Sequence, residues 1–133
     1  MNSPSSEARP AKVLIVDDSP VMRASVKYAL AAAGLEVAEA GDGQSALEVL
    51  AGMAQRAEKP AMIITDVNMP RMDGLTLVRE VKKTAFKFVP ILVLTTESQA
   101  DKKAEGKLAG ASGWLVKPFT PQQLLDVVKK FVR

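Results

Sequence analysis

The stretch Val13-Leu14-Ile15-Val16-Asp17-Asp18-Ser19-Pro20 carries four consecutive apolar residues, then two carboxylates, a hydroxyl and a proline. Unbroken apolarity, in place of the alternation seen when one face meets water, marks a strand covered on both faces. Ser19 then has the chemistry of a helix N-cap, with Pro20 at the first helical position, where its missing N–H costs nothing. Met22, Val26, Ala29, Leu30 and Ala33 recur at helical spacing until Gly34 interrupts them. The chain therefore reads here as a buried strand, a polar turn and an amphipathic helix.

The same unit returns along the chain. Met62-Ile63-Ile64, Ile91-Leu92-Val93-Leu94 and Trp114-Leu115-Val116 are further apolar runs, and a weaker strand follows Gly34 over residues 35–40. Between them, one helix groups Ala46, Leu47, Leu50 and Met53, and another, capped by Asp73, groups Leu77, Val78 and Val81. A last helix opens on Thr120-Pro121-Gln122-Gln123, a capping-box pattern, and is expected to bury Leu124, Val128 and Phe131. Residues 100–109 form the weakest helix, with only Ala104, Leu108 and Ala109 as an apolar face and Gly106 costing roughly 1 kcal/mol relative to Ala. Five strands alternating with five helices call for an α/β fold, a three-layer α/β/α sandwich on a parallel sheet with right-handed crossovers.

Composition bounds what such a domain can do. With 133 residues, 47% of them hydrophobic, the chain suits one ordinary domain. Residues 1–11 read as a flexible tail and 12–133 as the domain, with no room for a separate output domain. No run approaches the roughly 20 apolar residues of a membrane span, so the protein is expected to be soluble, and the first residues lack the apolar segment of a secretory signal; a cytoplasmic location, which the absence of Cys suits, and a monomeric state are further expectations. Cys and His are both absent, which removes disulfides, thiolate chemistry, imidazole bases and the usual zinc ligands. The net charge of +3 is read as ordinary solubility and not as a nucleic-acid surface, since the basic residues lack interleaved aromatics.

Polar residues collect where the strands end: Asp17 and Asp18 after the first, Asp66 after the third, Thr95 and Thr96 after the fourth, Lys117 after the fifth. Each alone has an ordinary explanation as a cap, turn or surface charge. In open parallel sheets, however, ligands bind outside the carboxyl ends of the strands, so four segments converge on one crevice. Three carboxylates held close together call for a cation, and oxygen ligands without His or Cys point to Mg²⁺ before Ca²⁺ and well before zinc. A carboxylate needs no general base to attack phosphorus, while Lys117 and Thr95 could neutralise and hydrogen-bond phosphoryl oxygens. These residues describe a Mg²⁺ site that phosphorylates a carboxylate.

At this point the sequence resembles the receiver domains of two-component response regulators, in particular their single-domain chemotaxis branch. The resemblance rests on Val16-Asp17-Asp18-Ser19, on Thr65-Asp66-Val67-Asn68-Met69-Pro70-Arg71-Met72-Asp73-Gly74, on Leu94-Thr95-Thr96-Glu97, and on Gly110-Ala111-Ser112-Gly113-Trp114-Leu115-Val116-Lys117-Pro118-Phe119, in the family's order. It implies a flavodoxin-like strand order 2-1-3-4-5 and a cis peptide between Lys117 and Pro118. It further implies Asp66 as phosphoryl acceptor, with Mg²⁺ held by Asp17, Asp18, Asp66 and the backbone carbonyl of Asn68. By the same resemblance Lys117 contacts the phosphoryl group, Thr95 is the switching hydroxyl, and Trp114 stands at the switch-aromatic position, where Tyr or Phe is more usual.

The function so implied is a phosphorylation-switched binding module and not an enzyme acting on a separate substrate. Its phosphodonor would be a histidine kinase and its partner a flagellar motor switch protein; a phosphorelay intermediate or phosphate sink is the alternative. An aspartate-nucleophile phosphatase of the haloacid dehalogenase type places its two aspartates two residues apart after the first strand, whereas Asp17 and Asp18 adjoin. A nucleotide-binding loop is excluded because Asp17-Asp18-Ser19-Pro20 stands where glycines would be needed. Lys102, Lys103 and Lys107 are expected to border the partner surface.

Overall fold

The computed structural model describes residues 11–96, 107 and 109–132. Its strands are β1 (Lys12–Val16), β2 (Glu36–Ala40), β3 (Met62–Asp66), β4 (Ile91–Thr96) and β5 (Gly113–Lys117). Its helices are α1 (Pro20–Ala32), α2 (Gly43–Gln55), α3 (Gly74–Val81) and α4 (Pro121–Val128). All strand pairs are parallel, in the order β2-β1-β3-β4-β5. That is the order the resemblance implied. Leu14 faces Ala38 on one side and Ile63 on the other, and Leu94 pairs with Asp66 and Leu115.

The pleat explains the three layers. Successive strand side chains point to opposite faces, so Leu14, Val16, Ile63, Ile91 and Val93 join Ala46, Leu50 and Met53 of α2 and Leu77, Val78 and Val81 of α3 in one core. Val13, Ile15, Met62, Ile64, Leu92 and Leu94 meet Val26, Ala29 and Leu30 of α1 and Leu124 and Val128 of α4 in the other. Each fully buried Val, Leu, Ile or Met among them contributes about 1.5–3 kcal/mol relative to exposure.

The helices start where side chains satisfy their free N–H groups. Ser19 Oγ accepts from Met22 N–H at 3.2 Å and Asp73 Oδ1 from Thr76 N–H at 2.8 Å. Thr120 and Gln123 exchange the two bonds of a capping box, at 3.1 and 2.8 Å. Asp42 caps α2 in the same way, accepting from Ser45 N–H at 2.8 Å.

Two expectations change. Trp114-Leu115-Val116 is not covered on both faces: β5 is the sheet's edge, all its residues are at least partly exposed, and Val116 is 41% exposed. Phe131 lies beyond the end of α4 and is only half-buried against the α1–α4 core. The helix expected over 100–109 lies outside the described residues except for Lys107 and Ala109, both helical, and Lys102 and Lys103 lie outside them altogether. The tail is likewise outside them up to residue 10; the Ala11 carbonyl accepts from Glu36 N–H at 2.8 Å. No described helix is long and apolar enough to cross a membrane.

Candidate functional site

Sheet order puts β1 and β3 side by side at the centre, so their carboxyl ends present Asp17, Asp18 and Asp66 together. One carboxylate oxygen from each lies within 4.8 Å of the others. Lys117, at the end of β5, reaches in with Nζ 3.2 Å from Asp66 Oδ1 and 3.7 Å from Asp17 Oδ2. Strand–turn geometry fixes the rest: Asp17 N–H donates to the Ala40 carbonyl at 3.1 Å, and Asp66 Oδ1 accepts from Val67 N–H at 2.9 Å.

Asp17 is the buried member, 1% exposed, while Asp66 is partly exposed and Asp18 exposed. Burial pushes the Asp17 carboxyl above the ordinary carboxylate range; Ser19 N–H, donating to Oδ1 at 2.9 Å, and the Lys117 ammonium hold it down, and the charges of Asp66 and Asp18 push it up. Its second oxygen, Oδ2, is buried and accepts no hydrogen bond among the described residues, the Lys117 ammonium standing 3.7 Å away, beyond hydrogen-bond reach. A buried carboxylate oxygen so placed is costly unless a cation meets it. Three hard oxygens, one of them unsatisfied, therefore fit a small divalent cation and do not fit a soft metal.

Thr95 lies buried at the end of β4, its hydroxyl donating to the Thr96 carbonyl at 3.3 Å. Trp114 pairs with Val93 and packs on the same core, two residues before the level of Thr95 on the neighbouring strand, with its indole nitrogen buried. Thr95 and Trp114 thus share a face of the sheet. Asn68 is exposed in the loop after β3, two residues beyond Asp66. The Lys117–Pro118 peptide is cis, as the resemblance implied. The expected residues therefore gather at one sheet edge, with Trp114 set behind the site on the α2–α3 side.

Other residues hold this edge in place: Arg23 lies outside the motifs quoted above, and Arg71 and Gly74 stand within one of them without a role assigned there. Arg23 Nη1 donates to the Asp17 carbonyl while its Nε pairs with Glu39 at 3.2 Å. Gly74 allows the loop to fold back onto β3, for a Cβ there would stand 2.0 Å from the Asp66 carbonyl oxygen. Arg71 reaches the cap of α2. The Asp42-Gly43-Gln44-Ser45 pattern is a legible N-cap signal; the arginine contacts, made across distant parts of the chain, leave none.

The model of the response regulator receiver domain matches residues 13–129. The chain belongs to that family, the receiver domains of two-component response regulators. The CheY4 chemotaxis protein of Vibrio cholerae has a similar structure, with a TM-score of 0.82 and 46% identity over 93% of this chain and 100% of that one. The chemotaxis protein CheY1 of Helicobacter pylori is 43% identical over 86% of this chain and 91% of its own length. The response regulator MprA of Mycolicibacterium vanbaalenii is 36% identical over 93% of this chain, which spans 51% of that longer protein.

Proposed function

We propose that this chain is a cytoplasmic phosphoryl-accepting switch in which Asp66 takes the group from a histidine kinase with Mg²⁺, and that its output is chemotactic control of a flagellar motor. The observation that carries the chemistry is the grouping of Asp17, Asp18 and Asp66 under Lys117, with the buried Asp17 oxygen left unsatisfied. Chemotaxis is favoured because the chain is 46% and 43% identical to the two CheY proteins and 36% identical to MprA. The MprA likeness supports a second reading, a receiver module serving another output.

In this scheme Asp66 forms a bond to phosphorus as the bond from phosphorus to the kinase imidazole nitrogen breaks, and the imidazole recovers a proton from solvent. Asp17, Asp18, Asp66 and the Asn68 carbonyl would hold Mg²⁺, which supplies charge neutralisation for the transferring oxygens. Lys117, already 3.2 Å from Asp66, moves its ion pair onto a phosphoryl oxygen. Thr95 donates its hydroxyl to another. No second substrate is turned over: water later attacks the acyl phosphate and resets the chain.

Acetyl phosphate with Mg²⁺ should add one phosphoryl mass to the wild-type chain and none to Asp66→Asn. Equal labelling of both would remove Asp66 from this role. A pull-down of motor switch protein that is enriched by beryllofluoride tests the output.

A further inference from the structure

We infer that Arg71 and Asp42 form a positioning clamp that fixes the loop after Asp66 to the start of α2, a role that rests, for its effect on Mg²⁺, on the proposed function. The guanidinium meets Asp42 through two bonds, Nε to Oδ2 and Nη2 to Oδ1, both 3.0 Å, and Nη2 also reaches Ser45 Oγ at 3.1 Å. Asp42 simultaneously caps α2 through Ser45 N–H. One carboxylate therefore ties a helix start to a loop 29 residues away.

The backbone supplies an independent sign. Arg71 stands at φ 67°, a left-handed conformation that costs energy in a residue with a Cβ and persists only where its surroundings impose it. The next residue, Met72, accepts Gly43 N–H at its carbonyl at 3.3 Å, and a Cβ on Gly43 would lie 2.7 Å from Met72 Cγ. Consecutive loop residues thus dock on consecutive residues of the α2 start. The loop is closed on the acceptor itself, with Val67 N–H bonded to Asp66 Oδ1 at 2.9 Å and Gly74 N–H to the Val67 carbonyl at 2.8 Å. Asn68, whose carbonyl completes the proposed ligand set, lies between these anchors. An exposed ion pair does little for global stability, but a bidentate one fixes direction. The clamp acts on loop geometry and leaves the fold alone.

Two variants isolate it. R71G removes the guanidinium at a φ that glycine adopts freely, and D42N keeps an acceptor for Ser45 N–H while removing the charge. In the metal-free chain, amide hydrogen exchange at Gly43 and Gly74 should quicken several-fold in either variant, and the double variant should be no faster than the singles. Urea midpoints should stay at the wild-type value. The Mg²⁺ concentration for half-maximal labelling by acetyl phosphate should rise several-fold with the maximal rate unchanged, and R71K, which returns charge without the fork, should recover part of the loss. Wild-type exchange at both glycines in R71G, or effects that multiply in the double variant, would overturn the clamp. A wild-type chain that takes no phosphoryl group overturns the proposed function instead, while the exchange measurement still decides the clamp.

Discussion

Asp17 is the residue at which function and stability oppose each other. Burial raises its pKa from the ordinary value of 3.8, so the folded chain retains that proton to higher pH than the unfolded chain does. By linkage, its contribution to stability is greatest below 3.8 and declines as pH rises through the raised value. Once ionised, Asp17 in the metal-free chain is a buried charge that its neighbours only partly compensate. Asp17→Asn keeps an oxygen for Ser19 N–H and drops that charge, so it should stabilise the metal-free chain by about 1 kcal/mol at pH 7, with the gain shrinking toward pH 3. The same change should weaken Mg²⁺ binding. Urea unfolding at the two pH values measures the first effect and a Mg²⁺ titration the second; a variant no more stable than wild type at pH 7 would show that Asp17 carries no such cost. Asp42 is the contrasting case. Arg71 draws its carboxyl down to about 2, so its paired state persists above 3.8 and is lost only as pH falls through about 2.

At the scale of elements, α4 is short, eight residues, and begins with the capping box of Thr120 and Gln123. Thr120→Ala removes a side-chain acceptor from Gln123 N–H and should cost about 1 kcal/mol, read as a lower urea midpoint at unchanged slope. This cap was legible in Thr120-Pro121-Gln122-Gln123, as Ser19 and Asp73 were, because capping is local. So were β1, β3 and β4, whose apolar runs are long and branched. The edge position of β5 was legible only through the resemblance, whose strand order 2-1-3-4-5 ends on it; the run Trp114-Leu115-Val116 by itself reads like a central strand. Asp17, Asp18, Asp66, Thr95 and Lys117 are legible as strand-end residues, yet their convergence depends on the sheet being parallel. Arg71 and Arg23 stayed hidden for a related reason. Their partners, Asp42 and the Asp17 carbonyl, are set by tertiary proximity, and a left-handed φ at arginine has no sequence signature.

Over the whole molecule the question is how a charge added at Asp66 reaches a surface. A phosphoryl group brings negative charge and acceptor oxygens. It should draw the Thr95 hydroxyl from the Thr96 carbonyl, a 3.3 Å bond, toward the site. Thr95 and Trp114 share a sheet face on neighbouring strands, so that movement should open room on the face where the indole packs. Trp114 sits on the edge strand, partly exposed, and its buried nitrogen has no hydrogen-bond partner among the described residues. Any partner that prefers the moved indole must in turn favour phosphorylation by the same factor, since coupling is reciprocal. As the only Trp, residue 114 reports this directly. Mg²⁺ with beryllofluoride should change its emission, and Thr95→Ala should diminish the part of the change that Mg²⁺ alone does not produce. If Thr95→Ala binds beryllofluoride and responds as wild type does, Thr95 is not the relay. If beryllofluoride binds wild type with no change in emission, Trp114 lies outside the switch, and the signal leaves the site by another face.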